Sequence, residues 1–97
     1  MRLYDIIWKN AFVEKIGAKH HVTTDEVEEI LFAEPHIRFE AKGHVKGEHL
    51  YAAYGQTLVG RYLVVFFILK RRMAALPISA REMSRSEKKY YNAQKKG

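Results

Sequence analysis

The stretch Tyr62-Leu63-Val64-Val65-Phe66-Phe67-Ile68-Leu69 limits the folds open to this chain more than any other. A strand sends alternate side chains to opposite faces, so a run without a polar residue has two faces to keep from water. Such a run fits a central strand covered on both sides, with helices on at least one of them. Its eight residues fall far below the roughly 18 needed to cross a bilayer, so the cover has to come from the rest of the chain.

The flanking segments can supply it. Leu3 to Trp8 is short and rich in large apolar side chains, and reads as a strand or an extended lead-in segment. Phe12, Val13 and Ile16 form a helical stripe within Lys9 to Lys19, weakened near its end by Gly17. Thr23 and Glu26 make a capping box for a second helix that turns Val27, Ile30 and Leu31 to the core. That helix ends at Glu34-Pro35, because a residue before proline is pushed out of the α region. His36 to Glu40 and Glu48 to Tyr54 alternate as half-buried strands, with Gly43 and Gly47 marking a turn-rich connection. Lys70-Arg71-Arg72 reads as a charged hairpin connection into a last strand, Met73 to Ala80, which Pro77 bends, bulges or confines to an edge. Ser84 and Glu87 form a second capping box and open a last helix, with a polar tail from about residue 92.

The order is therefore β, α, α, four strands, α. It predicts an α+β fold: an antiparallel sheet of about four to five strands packed by two N-terminal helices and a C-terminal helix. Ninety-seven residues suffice for a single domain, 1–97, with one core.

Charge divides the chain. Residues 61–97 carry ten Lys/Arg against two Glu, net +8, whereas residues 1–60 carry seven against nine Asp/Glu, net −2. The basic half suggests a polyanion partner, and nucleic acid is the commonest one for a small basic protein. A solvated basic face without a ligand explains the same charge. The absence of cysteine excludes a disulfide scaffold and thiolate zinc sites. With no signal-peptide-like apolar stretch either, a soluble cytoplasmic protein without a membrane partner is expected.

His20, His21, His36, His44 and His49 show no helical i, i+4 pair and no Asp or Cys at ligand spacing, so no metal site is expected. Asp25, Glu26, Glu28 and Glu29 crowd one helix N-terminus, where the macrodipole favours them without a catalytic role. Neither a Gly-rich phosphate loop nor a dinucleotide fingerprint is present, and no cofactor is indicated. What remains is cationic and aromatic. Arg61, Arg71, Arg72, Arg81, Arg85, Lys88 and Lys89 can neutralise phosphates, and Tyr51, Tyr54, Tyr90 or Tyr91 can stack an unpaired base, which suits single-stranded RNA. Each tyrosine also reads as a core residue with its hydroxyl at the surface. RNA brings its own nucleophile: a 2′-hydroxyl needs only a base, a cation for the developing phosphorane charge, and an acid for the leaving oxygen. His20 or His49 can serve as base or acid, and Arg81 can clamp two phosphate oxygens.

Several segments together resemble one family, the BrnT toxins of bacterial type II toxin-antitoxin pairs. They are Ile6-Ile7-Trp8, Lys19-His20-His21-Val22-Thr23 leading to Phe32 and Pro35, Val64-Val65-Phe66, Ile78-Ser79-Ala80-Arg81, and Glu87 with Tyr90 or Tyr91. The resemblance implies a RelE-like fold, a ribonuclease activity that stops translation, and no metal. It also implies a neutralising antitoxin with a ribbon-helix-helix domain, and it leaves homo-oligomerisation open. The matching positions are Lys19, His20, Arg81, Glu87 and Tyr91. The chain departs from the family pattern at Lys9, where Asp is usual, at His21, where Gly is usual, and at His49, which stands in place of an arginine.

The resulting expectation is a small endoribonuclease whose sheet presents Arg61, His49 and Arg81 toward RNA, with the last helix adding Lys88 and Tyr91. The rival from another class is a non-catalytic module of the same fold whose basic face only binds an acidic partner or nucleic acid.

Overall fold

The computed structural model describes residues 1–43 and 47–96. His44 and the middle of the connection expected between Gly43 and Gly47 lie outside the described residues. Along the chain the elements are β1 (Asp5–Ile6), α1 (Asn10–His20), α2 (Thr24–Phe32), β2 (His36–Ala41), β3 (Leu50–Gln56), β4 (Tyr62–Lys70), a 3₁₀ turn (Arg71–Met73), β5 (Ala74–Glu82) and α3 (Arg85–Lys96). They form one five-stranded sheet of order β1-β5-β4-β3-β2, with the apolar run at its centre in β4. The architecture is α+β. Helix α3 runs on to Lys96, through residues that read in the sequence as a polar tail.

One expectation needs correcting: the sheet is mixed. Strands β2 to β5 pair antiparallel, but β1 lies parallel to β5, with Asp5 opposite Ala74 and Ile6 opposite Ala75. Apolar content marks a strand but carries no information about its direction.

The two faces of β4 are covered unequally. Leu63, Val65 and Phe67 are fully buried on one side, packed with Ile16 of α1 and Val27, Ile30 and Leu31 of α2. Burying each such side chain contributes about 1.5–3 kcal/mol. Helix α2 comes close at Gly55, where an added Cβ would sit 3.1 Å from Ile30 Cδ1. On the other side Val64 packs with Ala52, Tyr54 and Met83, beneath Tyr90 and Tyr91 of α3. Beyond α3 that face is open, and Phe66 and Ile68 are only half-buried.

Both capping boxes form. Glu26 N donates to Thr23 Oγ1 (3.1 Å) while Thr23 N donates to Glu26 Oε1 (3.0 Å), and Glu87 and Ser84 repeat the exchange at 3.2 and 2.8 Å. Helix α1 ends instead on His21 in the left-handed region (φ 53°), with His21 N and Val22 N donating to the carbonyls of Gly17 and Ile16. A glycine would take that conformation without the steric cost of a Cβ.

Strand β5 carries a bulge beside Pro77. Phe66 pairs with Ser79 and Phe67 with Pro77, which leaves Ile78 as the extra residue. Ala75 and Pro77 share the helix side with Leu69 and Phe67, so unbroken alternation would send Arg81 into the same layer. The extra residue turns Ala80 inward instead, opposite Val65, and Arg81 out toward the α3 side, opposite Val64. The bulge therefore aims Arg81.

Candidate nucleic-acid interface on the open sheet face

Register places four side chains in one row across the sheet on the α3 side: His36 of β2, Tyr54 of β3, Val64 of β4 and Arg81 of β5. The next row holds Arg38, Ala52, Phe66 and Ser79. Helix α3 leans over the first row, and the second forms the floor of the open face. Its two small residues leave Phe66 standing out, with Arg38 at one end of the row and Arg81 of the neighbouring row over the ring, a shape suited to a stacked base beside phosphates.

Arg81 is fixed by the capping-box carboxylate. Its Nη1 donates to Glu87 Oε1 (2.6 Å) and to the Glu82 carbonyl (3.2 Å), and its Nη2 donates to Glu87 Oε2 (2.9 Å). A guanidinium has five donors, so the Nε–H and the second Nη2 hydrogen remain for a ligand. The group lies 5.4 Å from the Phe66 ring centroid, with 36% of its side chain exposed. The Arg81 hydrogen bond, assisted by the Ser84 backbone, pulls the Glu87 pKa from 4.5 to about 2 against the effect of burial. The Glu87 hydrogen bond in turn raises the Arg81 pKa. The pair is charged at every physiological pH.

At the other end of the row, His36 Nε2 shares a 2.7 Å hydrogen bond with the Tyr90 hydroxyl, and both rings contact Tyr54. Burial, then the Glu40 and Glu87 carboxylates, push the Tyr54 pKa up, so its phenol stays protonated. Arg38 lies over the Tyr90 ring at 5.2 Å, pairs through Nε with Glu40 (3.2 Å), and exposes 52% of its side chain.

The residues singled out from sequence do not converge. Arg61 is tied down: Nη1 donates to Glu26 (2.9 Å) and to the His21 carbonyl (2.8 Å), Nη2 to the His20 carbonyl (3.3 Å) and Nε to Glu82 (3.4 Å). It joins the ends of α1 and α2 to β5. Burial would raise the Glu26 carboxyl, but the Thr23 backbone hydrogen bond and Arg61 outweigh it and hold the pKa below its usual value. Lys19 and His20 sit in the last turn of α1, in the layer on the opposite side of the sheet. His49 accepts from Gly43 N (3.3 Å) and packs on Phe39, which packs on Tyr51, itself stacked on Phe67 of the helix-side core. His49 and Tyr51 therefore belong to that layer as well. The expected grouping of Arg61, His49 and Arg81 on one surface is not formed, because strand parity and the Arg61 ion pairs separate them.

Tyr91 packs edge-on against Tyr62 under Lys95, and Lys88 lies over Tyr62. Arg85, Lys88 and Lys89 are exposed on α3, and Arg72 is exposed in the β4–β5 turn. His36, Arg38 and Phe66 were not singled out from sequence. The alternation of β2 already placed His36 and Arg38 on one face, but nothing local showed which helix would meet them. Among the described residues no three His, Cys, Asp or Glu side chains gather to hold a metal, and no helix is long and apolar enough to cross a membrane.

A family model described as ribonuclease toxin, BrnT, of type II toxin-antitoxin system matches residues 8–87. No curated protein matches the chain.

Proposed function

Because the chain belongs to the BrnT family of ribonuclease toxins of type II toxin-antitoxin systems, we propose that it is a metal-independent endoribonuclease of RelE-like fold that arrests translation in the cytoplasm. A 2′-hydroxyl attacks the adjacent phosphate, and Arg81 holds the phosphate oxygens on which charge develops. The observation that carries this reading is Arg81 itself. Glu87 fixes its orientation while two of its donors stay unused, on an open face beside a half-buried aromatic ring. A cation held in place before charge develops stabilises the transition state without reorganising. Arg85, Lys88 and Lys89, with Arg72, extend the contact along the RNA backbone, and Tyr91 supports the helix that carries three of them. The proposed partner is an antitoxin with a ribbon-helix-helix domain, made beside the toxin and covering this face.

One observation favours the non-catalytic alternative: the ion pair with Glu87 gives Arg81 a structural role of its own. Two measurements separate the readings. Induced expression should arrest growth, with rescue by the antitoxin, whereas a binding module leaves growth unchanged. Arg81→Ala should lower turnover on RNA by far more than it weakens binding, whereas in a module only affinity falls, by about 1–3 kcal/mol.

A further inference from the structure

The hairpin tip between β3 and β4 displays two aliphatic side chains that stand clear of the fold. Leu58 is 93% and Val59 90% exposed. The tip is nonetheless held firmly. Thr57 N donates to the Arg61 carbonyl and Gly60 N to the Thr57 carbonyl (both 2.9 Å). Arg61 N donates to Oγ1 of the buried Thr57 (3.0 Å), and Leu58 N donates to Glu29 Oε1 (2.7 Å). Gly60, at φ 89°, takes the left-handed position of the turn. Such turns are ordinarily filled by Asp, Asn, Ser or Pro, so the backbone gives no reason for Leu-Val at the two outermost positions. Aliphatic groups already fixed in place are suited to entering an apolar pocket, because little is left to order when they bury their area.

The surroundings define the pocket. Glu29 lies beside the tip with exposed Asp25 and Glu28 within one turn of α2, and Arg61 is already paired with Glu26 and Glu82. Lys95 reaches Gln56 on the other side, so the acidic flank is the α2 side. A matching site lies on the same molecule, at the opposite end of β4. A cavity of about 860 Å³ is lined there by Ile7, Leu69 and Leu76, with Lys9, Lys70 and Arg71 around them and one carboxylate, Glu48, which Lys70 holds. Apolar tip and apolar cavity thus carry opposite charge, and the nine residues of β4 set them about 30 Å apart. That separation keeps a tip from reaching its own cavity.

We propose that this tip is a docking plug for a second copy of the chain, with Leu58 and Val59 of one copy seated between Ile7, Leu69 and Leu76 of the next. Asp25, Glu28 and Glu29 then approach Lys9 and Arg71 across the joint. The contact uses different surfaces on the two copies, so a pair still has a free tip and a free cavity, and association continues into a ring or a filament. A single hairpin tip buries little area, which places the contact in the weak class, governed by concentration and salt. Arg38, Phe66 and Arg81 take no part in it, and the assembly is independent of the ribonuclease reading.

The test is sedimentation velocity on the full chain, freed of nucleic acid, over roughly 10 μM to 1 mM and at about 0.05 and 0.5 M salt. At the lower salt the weight-average mass should rise with concentration past twice 11.3 kDa. At the higher salt the rise should move to roughly tenfold higher concentration. Leu58→Ser with Val59→Asn removes the plug from a turn that accepts both residues, and Lys9→Glu with Arg71→Glu reverses the charge around the cavity at exposed positions. Each variant, checked for cooperative urea unfolding, should stay monomeric alone. Mixed in equal amounts they should form a dimer and stop there, since one supplies the cavity and the other the plug. The proposal is overturned by a plug variant that associates as the wild type does, or by a mixture that stays monomeric or grows beyond the dimer. A wild type that is monomeric throughout, or whose association salt leaves unmoved, overturns it without any variant.

Discussion

The pairing of Arg81 with Glu87 joins stability to function. Glu87 caps α3 through Ser84 and holds the arginine that faces the open sheet, so one carboxylate serves two elements. Its pKa, lowered to about 2 in the folded chain, gives stability that is fully present above the unfolded value of 4.5 and is lost as pH falls through the folded value. Urea denaturation should therefore show Glu87→Gln less stable than wild type by about 1–2 kcal/mol near pH 6, after allowance for screening, with the difference shrinking between pH 5 and pH 2. His21 makes a second point about single residues. It sits at φ 53°, where a non-glycine side chain costs about 1 kcal/mol, and its own side chain is exposed. His21→Gly should raise stability by about 0.5–1 kcal/mol, partly offset by the freer unfolded chain, and should leave RNA cleavage unchanged.

Among the elements, β5 turns sequence into site geometry. Deleting Ile78 removes the extra residue and with it the bulge, and because Ser79, Ala80 and Arg81 stay opposite Phe66, Val65 and Val64, Arg81 keeps its place on the α3 side. That variant should therefore unfold cooperatively in urea and keep whatever activity depends on Arg81, and loss of both would show that the bulge does more than set parity. Ala substitution at Ser84 should cost about 0.5–2 kcal/mol through the lost cap alone. Much of this level was legible in the sequence. The unbroken apolar run identifies β4, three-residue spacings give both capping boxes, and Pro77 points to a bend, a bulge or an edge, of which the bulge is what forms. All of these are local signals. What could not be read required two distant segments to meet: the parallel docking of β1 on β5, the capture of Arg61 by Glu26 and Glu82, and the register that sets His36 and Arg81 in one row. Lys19, His20 and His49 share the right chemistry with the site, yet strand parity and the position of α1 keep them on the other side of the sheet.

Over the whole molecule, the acidic and basic halves settle differently. Acidic groups of α2 are used internally: Glu26 pairs with Arg61, and Glu29 accepts from Leu58 N at 2.7 Å. Arg85, Lys88, Lys89 and Lys95 of α3 stay exposed, on the element that borders the face where RNA is proposed to bind. RNA affinity should accordingly fall steeply with salt, and Lys88→Ala should lower the slope of log affinity against log salt by about 1 while leaving sequence preference unchanged. The decisive observation is the fate of RNA itself. Folded, purified protein in chelator should cut single-stranded RNA to 2′,3′-cyclic phosphate and 5′-hydroxyl ends, and folded Arg81→Ala should not. RNA left intact by the wild type, both free and on translating ribosomes, or cut equally fast by Arg81→Ala, contradicts the proposal.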